Sequence, residues 1–413
     1  MRKIYTALDI GSNYIKLIVG EFINNKLNIL CAKKGISRGF CFNQITDEDK
    51  LVKSINAVLE EAELELNFKI KNVILNIPTD YNEFTVTDAT NEITNEEKIV
   101  ESTDILKVLQ ASSYNRIKPN DELIGAIPIM FKVGDYETES PLNKRGKNIS
   151  VKSVLVSTDK KKVYDLVKLI QKCNLEVVDI TTTGMTDYYN FKTSELDSKN
   201  VIIVNLGDSS TNISVYSKGI YINNVTLDQG GYEIDKLISE TYNVRRKDAN
   251  YLKENLSLAS LKNADVSETL TVVNKLGEEI TVNQYELTTL VAKKVEDILK
   301  LVKKNVNLLT KKEISYIIIT GGLSEIRDLS IPVNNIFATK GRIGKINNVG
   351  ARDNTYSVSL GMLTYFNSKL VLRNKDYSTI SESDLNDLCS HNSKVGIASD
   401  SILGKVFSYF FDN

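Results

Sequence analysis

Tryptophan is absent from this 413-residue chain, histidine occurs once, cysteine four times and proline five times. The single histidine, His391, lies in a polar stretch near the C-terminal end. Ser-His-Asp and Cys-His mechanisms are therefore excluded from the folded body, where proton transfer falls to carboxylates, lysines, tyrosines or water. Cys31, Cys41, Cys173 and Cys389 are far apart, with no CxxC pair and no histidine cluster. Neither a structural zinc site nor a disulfide framework is expected, and a reducing compartment is. No run approaches the roughly 18 apolar residues that cross a bilayer. The N-terminus meets the charge of Asp9 too soon for a signal-peptide apolar region, so the chain is expected to be cytoplasmic. Neither sign of charge is in excess: 52 Lys+Arg against 53 Asp+Glu gives 52 − 53 = −1. That balance argues against a nucleic-acid partner.

What is present is an ordinary soluble composition, 42% hydrophobic and 25% charged, at a length that calls for at least two domains with their own cores. The opening reads as three strands, Ile4 to Ile10, Ile15 to Phe22 and Leu27 to Ala32, joined by Gly11-Ser12-Asn13 and by Asn24-Asn25. Leu51, Ile55, Val58, Leu59 and Ala62 then recur at helical spacing, and a strand over 72–77 closes at Pro78. Residues 82–160 change to mixed strand and helix and read as an inserted α/β subdomain, with Thr103-Asp104 capping a helix that carries Ile105, Val108 and Leu109. A helix over 162–173 and a strand over 176–180 follow.

At Val201 the opening pattern returns. A strand ends in Asn205-Leu206-Gly207, a polar turn follows, and a strand from Asn212, a Lys218-Gly219 turn and a third strand complete the unit. Asn205 falls on Asp9 and Gly207 on Gly11, so the chain contains a duplicated unit. Later come Gly230-Gly231, a long helix striped by Val291, Val295, Ile298, Leu299 and Val302, and a strand over 316–320 that runs into Gly321-Gly322. After Leu372 the chain turns polar, and residues 373–400 read as a flexible linker.

Three strands thus end in glycine turns. A glycine there lets backbone N–H groups approach an oxyanion that a Cβ would block. Asp9, two residues before its glycine, is placed to hold Mg²⁺ through water, and Lys16 to put an ammonium on phosphate. No GxxxxGK[ST] or GxGxxG is present, which removes the main support for P-loop and Rossmann readings.

In order, LDIGSNYIK, VNLGDSSTNISVY, QGGYEIDKLI, ITGGLSEIRDL, KGRIGKINN and DNTYSVSLGMLTYF resemble the actin-like ATPase superfamily and, within it, the FtsA cell-division family. The resemblance covers residues 1 to about 370 and resumes at the C-terminal end. It implies an α/β, actin-like (ribonuclease-H-like) fold whose duplicated domains face each other across a nucleotide cleft, with ATP and Mg²⁺ as cofactors. The first domain is expected from residues 1–81, 161–200 and 355–372, the FtsA-type subdomain from 82–160, and the second domain from 201–354 with a smaller subdomain at about 232–310. By resemblance, Gly11, Ser12, Asn13 and Lys16 contact phosphate and Asp9 holds the waters of the metal. Gly207, Ser209 and Thr211 form the opposing turn, Gly230, Gly231 and Lys253 lie around the ribose, and Gly321 and Gly322 back the adenine. The partners implied are FtsZ through its C-terminal peptide, further copies of the chain in a filament, later division proteins and membrane lipid, at the cytoplasmic face of the membrane at the septum. A pilus-assembly homologue of the PilM kind and a small-molecule kinase are the alternatives on the same fold.

Four residues depart from that pattern. Asn205 stands where the family usually has Asp, Asp208 and Ser209 where it has glycines, and Asn250 where a Glu often precedes the lysine by three. An amide neither acts as a general base nor adds charge to Mg²⁺, so nucleotide is expected to bind while hydrolysis is slow or absent. At about 100° per residue, Ile402, Leu403, Val406, Phe407 and Phe410 share one arc of segment 401–413, and Gly404, Lys405 and Ser408 the other. The segment is expected to be an amphipathic helix that lies in a membrane interface, as the family's ending implies.

Overall fold

The computed structural model describes residues 2–78 and 80–380, and these divide into two compact units. One unit runs to Asn190 and takes in Asn347–Arg352 and the chain from Val358; the other comprises Phe191–Ile346 and Asp353–Ser357.

The first unit opens with β1 (Lys3–Ile10), β2 (Tyr14–Ile23) and β3 (Lys26–Ile36) as an antiparallel meander. Asn24 and Asn25 make its second turn with φ of 51° and 61°, the left-handed pair that a two-residue hairpin requires. After the short hairpin β4 (Phe40–Cys41) and β5 (Gln44–Ile45), α1 (Glu48–Leu66) starts where Asp47 accepts from the Lys50 amide at 3.1 Å and ends at Asn67 in the left-handed region. Its buried stripe contains the five residues whose spacing predicts it. β6 (Asn72–Asn76) then pairs parallel to β1, so β1 lies inside the sheet and all its residues after Lys3 are buried.

The insertion forms a sheet of its own. β7 (Glu83–Glu92), β8 (Asp121–Val133), β9 (Tyr136–Thr138) and β10 (Asn148–Asp159) align antiparallel in the order β7-β10-β8-β9. α2 (Ser102–Ser113) packs on it through Ile105, Val108 and Leu109 against Phe131, Ile149 and Val151. The cap is Glu101 rather than Thr103-Asp104. Asp104 sits in the first turn and accepts from the Glu101 amide at 2.9 Å, closing a reciprocal capping box that starts the helix earlier than expected. α3 (Lys160–Lys172), β11 (Glu176–Thr181) and the one-turn α4 (Thr183–Thr186) return the chain to the first sheet, whose order is β11-β6-β1-β2-β3.

The second unit repeats that order. β12 (Asn200–Leu206), β13 (Thr211–Ser217) and β14 (Ile220–Leu227) form the meander, and β17 (Tyr316–Thr320) and β18 (Gly341–Ile343) add in parallel, giving β14-β13-β12-β17-β18. Between the halves lie α5 (Gly231–Thr241), α6 (Arg246–Asn255), the hairpin β15 (Thr269–Val273) and β16 (Glu279–Asn283), and α7 (Gln284–Leu309). The apolar stripe of α7 joins Ile202, Val204, Ile213 and Val215 of the sheet in one core. α8 (Ser330–Phe337) precedes β18, and α9 (Ser357–Leu372) is the last helix among the described residues.

Residues 373–380 correct one expectation, because they bind the first unit instead of starting a flexible linker. The Thr379 amide donates to Ile4 O at 2.9 Å, Asn72 Nδ2 donates to Thr379 O at 3.1 Å, and Lys3 and Asp376 pair at 3.2 Å. Pairing of β6 with β1 starts only at Ala7, so the earlier part of β1 has backbone groups left for this strap. The remainder of the expected linker and the amphipathic segment 401–413 lie outside the described residues. Among the described residues no helix is long and apolar enough to cross a membrane.

Candidate functional site

Both meanders turn in the same way. Gly11 N donates to Tyr14 O at 3.1 Å in the first unit, and Gly207 N to Ser210 O at 3.0 Å in the second. The register is also shared: Asp9 faces Lys16 across β1 and β2, as Asn205 faces Asn212 across β12 and β13. The chemistry differs. Lys16 Nζ lies 2.8 Å from Asp9 Oδ2, whereas the second unit replaces this ion pair by two amides.

In the first unit, Asp9, Gly11, Ser12, Asn13 and Lys16 are brought together at the end of β1. A Cβ at Gly11 would stand 3.0 Å from Lys16 Nζ, so the ammonium lies directly over the turn. Asp9 is 3% exposed, and its other oxygen, Oδ1, accepts from Asn76 Nδ2 at 3.0 Å. Sequence reasoning missed Asn76, although it occupies on β6 the level that Asp9 occupies on the parallel neighbour β1.

In the second unit, Gly207, Ser209 and Thr211 form the turn and Gly230 and Gly231 abut it. Gly231 N donates to Gly207 O at 3.0 Å and Tyr232 N to Asp208 O at 2.8 Å, which ties the turn to the start of α5. A Cβ on Gly230 would come within 2.3 Å of Asp208 O, so only glycine permits this approach. Thr211 closes the arrangement by donating from Oγ1 to Gln229 O at 2.7 Å.

Lys253, expected at the ribose, has its ammonium 2.6 Å from Asp235 Oδ1 and 3.5 Å from Gly231 O. Burial of Asp235 pushes its carboxyl above the ordinary value of 3.8, against the opposing influence of Lys253. Arg246 completes the cluster. Its Nη2 donates to Asp208 Oδ2 at 2.7 Å, and the guanidinium lies 4.5 Å from the centre of the Tyr232 ring. The departure at Asp208 is therefore neutralised within the chain. In the orientation that satisfies both its ends, the Asn250 amide accepts from Lys253 Nζ at 3.0 Å and donates to Glu254 at 3.2 Å. Asp235 and Arg246 were also missed; an acidic residue inside the apolar stripe of α5, between Ile234 and Ile238, is the signal for Asp235.

Gly321 has φ of +89°, and a Cβ there would meet Asn205 Oδ1 at 2.5 Å. Gly322 is open by contrast, with Thr355 Oγ1 at 3.8 Å the nearest atom to a built Cβ. Ile402, Leu403, Val406, Phe407 and Phe410 lie outside the described residues.

The donor set of the first unit fits a hydrated divalent cation. Mg²⁺ takes oxygen ligands and keeps water, and water on a cation needs acceptors. Asp9 supplies a carboxylate, and Asn76 Oδ1 is a buried oxygen that receives no hydrogen bond among the described residues. No group of three His, Cys, Asp or Glu residues able to hold a metal occurs among the described residues, so any such cation takes most of its ligands from water and phosphate.

A family model described as "Cell division protein FtsA" matches residues 202–361. The chain is 24% identical over 366 residues to the cell division protein FtsA of Bacillus subtilis, covering 88% of this chain and 83% of that one. It is 24% identical over 389 residues to FtsA of Escherichia coli K12, covering 88% and 90%. Among solved structures, a PilM-PilN type IV pilus biogenesis complex superposes with a TM-score of 0.58 at 12% identity, over 87% of this chain and 97% of that one. MreB5 of Spiroplasma citri bound to ADP does so with a TM-score of 0.53 at 13% identity, over 90% and 98%. At those identities the structural likeness shows the fold, which is the actin-like one with duplicated domains.

Proposed function

Because the chain is an actin-like relative of the FtsA cell-division proteins, we propose that it binds ATP with Mg²⁺, assembles with copies of itself and tethers FtsZ filaments to the cytoplasmic face of the membrane at the septum. Later division proteins are its further partners. The observation that carries the nucleotide part is the pair of glycine turns with one register, the first of them backed by Asp9 and Lys16. The family match carries the division part. PilM, on the same fold, supports the fold alone at 12% identity.

The chemistry of the second turn favours binding over turnover. Asn205 holds the position equivalent to Asp9 with an amide, which accepts no proton at neutral pH, and Asp208 is engaged by Arg246. Hydrolysis is accordingly slow or absent. A turnover well above background that disappears in Lys16→Ala overturns this.

Membrane attachment rests on segment 401–413, whose only charged side chains are Lys405 and Asp412. Attraction to anionic lipid contributes little, and each large apolar side chain adds at most about 1.5–3 kcal/mol. Ordering the segment opposes this at about 1 kcal/mol or more per residue. One copy binds weakly, and a filament of linked copies binds well. Co-sedimentation of purified FtsZ with liposomes, using the full chain and a truncation before Ser401, tests the reading. Recruitment by the full chain alone supports it, and equal recruitment by both forms refutes the tether.

A further inference from the structure

The two duplicated units differ at one buried position that neither the fold nor the glycine turns require to differ. In the first unit, the residue beside Asp9 on the neighbouring parallel strand is Asn76; in the second, the residue beside Asn205 is Thr320. Thr320 is satisfied within its own unit. Its Oγ1 donates to Asn354 Oδ1 at 3.1 Å, and Asn354 Nδ2 in turn donates to Gly344 O at 3.0 Å.

Asn76 is arranged otherwise. It is 1% exposed, and its Nδ2 is shared between Asp9 Oδ1 at 3.0 Å and Thr183 Oγ1 at 3.2 Å. The carboxylate fixes the orientation of the amide, since turning it over would set two oxygens against each other. Its Oδ1 is then a buried acceptor with no donor among the described residues. Buried acceptors are nearly always paired, because an unpaired one forfeits its solvation without return. The natural donor is a molecule that arrives with the ligand. Water bound to a divalent cation is a strong donor that needs oxygen acceptors, and Asp9, held on its other oxygen by Lys16, is the acceptor next to Asn76.

We propose that Asn76 is a positioning residue for the cation that accompanies ATP: its Nδ2 aims the Asp9 carboxylate and its Oδ1 accepts from cation-bound water, so the first unit is the one that grips the metal. This rests on the ATP-binding reading above. It separates Asn76 from a plain core amide, whose loss would change stability and nothing else.

The test compares binding of a non-hydrolysable ATP analogue to the full chain with Mg²⁺ and with EDTA, in the wild type and in Asn76→Thr, the residue found at the equivalent place in the second unit. The expected result is that the Mg²⁺ preference falls about three- to tenfold in the variant while affinity in EDTA stays within about twofold. An unchanged preference, with the wild type showing one, overturns the role of Asn76 and leaves the ATP reading standing. Wild-type binding that Mg²⁺ does not strengthen overturns the role of Asn76 alone, and absence of any binding by the wild type, with Mg²⁺ or with EDTA, overturns both. Should Asn76→Thr fail to fold, Asn76→Ser decides by the same comparison: a reduced Mg²⁺ preference with affinity in EDTA retained supports the proposal and an unchanged preference overturns it.

Discussion

Arg246 holds Asp208 through a 2.7 Å hydrogen bond from Nη2 to Oδ2, and in doing so neutralises a carboxylate that stands in a glycine turn otherwise suited to phosphate. Arg246 itself is 41% exposed, so the pair is screened on one side and its worth is modest.

The consequence for binding is directional. Arg246→Gln leaves Asp208 charged and unpaired beside the turn, and ATP affinity is expected to fall about three- to tenfold. Asp208→Asn in the same chain removes the uncompensated charge and is expected to restore most of that loss. Titration of the wild type, both single variants and the double variant checks it. A double variant as weak as Arg246→Gln alone would show that Arg246 acts on nucleotide directly and not through Asp208.

Asp235 and Lys253 form the buried counterpart of that pair, at 1% and 9% exposure. Burial already raises the Asp235 carboxyl above 3.8. A group whose folded value is raised stabilises the fold fully below its unfolded value, and that contribution is lost as pH climbs through the folded one. Lys253→Met removes the main opposing influence, moves the folded value further up and widens the window. The variant is expected to lose about 3–5 kcal/mol at neutral pH and progressively less toward about pH 4. Urea unfolding across that range measures it, and a deficit independent of pH would contradict the assignment.

Much of this architecture is legible in the chain itself, for reasons that particular residues make plain. β1 and β12 read as strands because their β-rich, largely apolar runs stop at glycine, and the duplication shows because the offset from Asp9 to Gly11 recurs from Asn205 to Gly207. The stripe of α7 is visible for the same local reason. What escapes is made by contacts distant in sequence. Asn76 meets Asp9 across 67 residues and Arg246 meets Asp208 across 38, and no spacing rule links either pair. The strap over 373–380 is polar in composition, so only the unfilled start of β1 reveals why it is bound. The cap of α2 is displaced from its expected place because Glu101 is a weaker signal than Thr103-Asp104 until the reciprocal bond to Asp104 is seen.

The two glycines that follow β17 are expected to behave oppositely. Gly321→Ala puts a Cβ at a φ of +89°, within 2.8 Å of Asn205 Oδ1 and of both Leu206 N and Leu206 O, two of them rigid backbone. It is expected to cost about 2–4 kcal/mol. Gly322→Ala meets nothing closer than 3.8 Å and is expected to unfold within about 0.5 kcal/mol of the wild type. Any loss of nucleotide affinity in Gly322→Ala is then a statement about the ligand and not about the fold. Thermal or urea unfolding of both variants, followed by binding on Gly322→Ala, separates the two effects.

The strap makes a prediction about where the chain stops being structurally necessary. Thr379 and Ile380 are 2% and 6% exposed, Tyr377 lies with its ring 6.0 Å from that of Phe366, and the Thr379 amide bonds to β1. A truncation that ends at Asp400 keeps all of these and is expected to unfold like the full chain. One that ends at Lys375 strips the start of β1 of its partner and exposes the surface under Ile380, at an expected loss of about 2–5 kcal/mol. Urea unfolding of the three forms distinguishes them. Equal midpoints would mean that the contacts of the strap with β1 do not stabilise the unit. A loss confined to the Lys375 form would place the stabilising contacts within residues 376–400, where Thr379 bonds to β1, the strand that leads into the Gly11 turn.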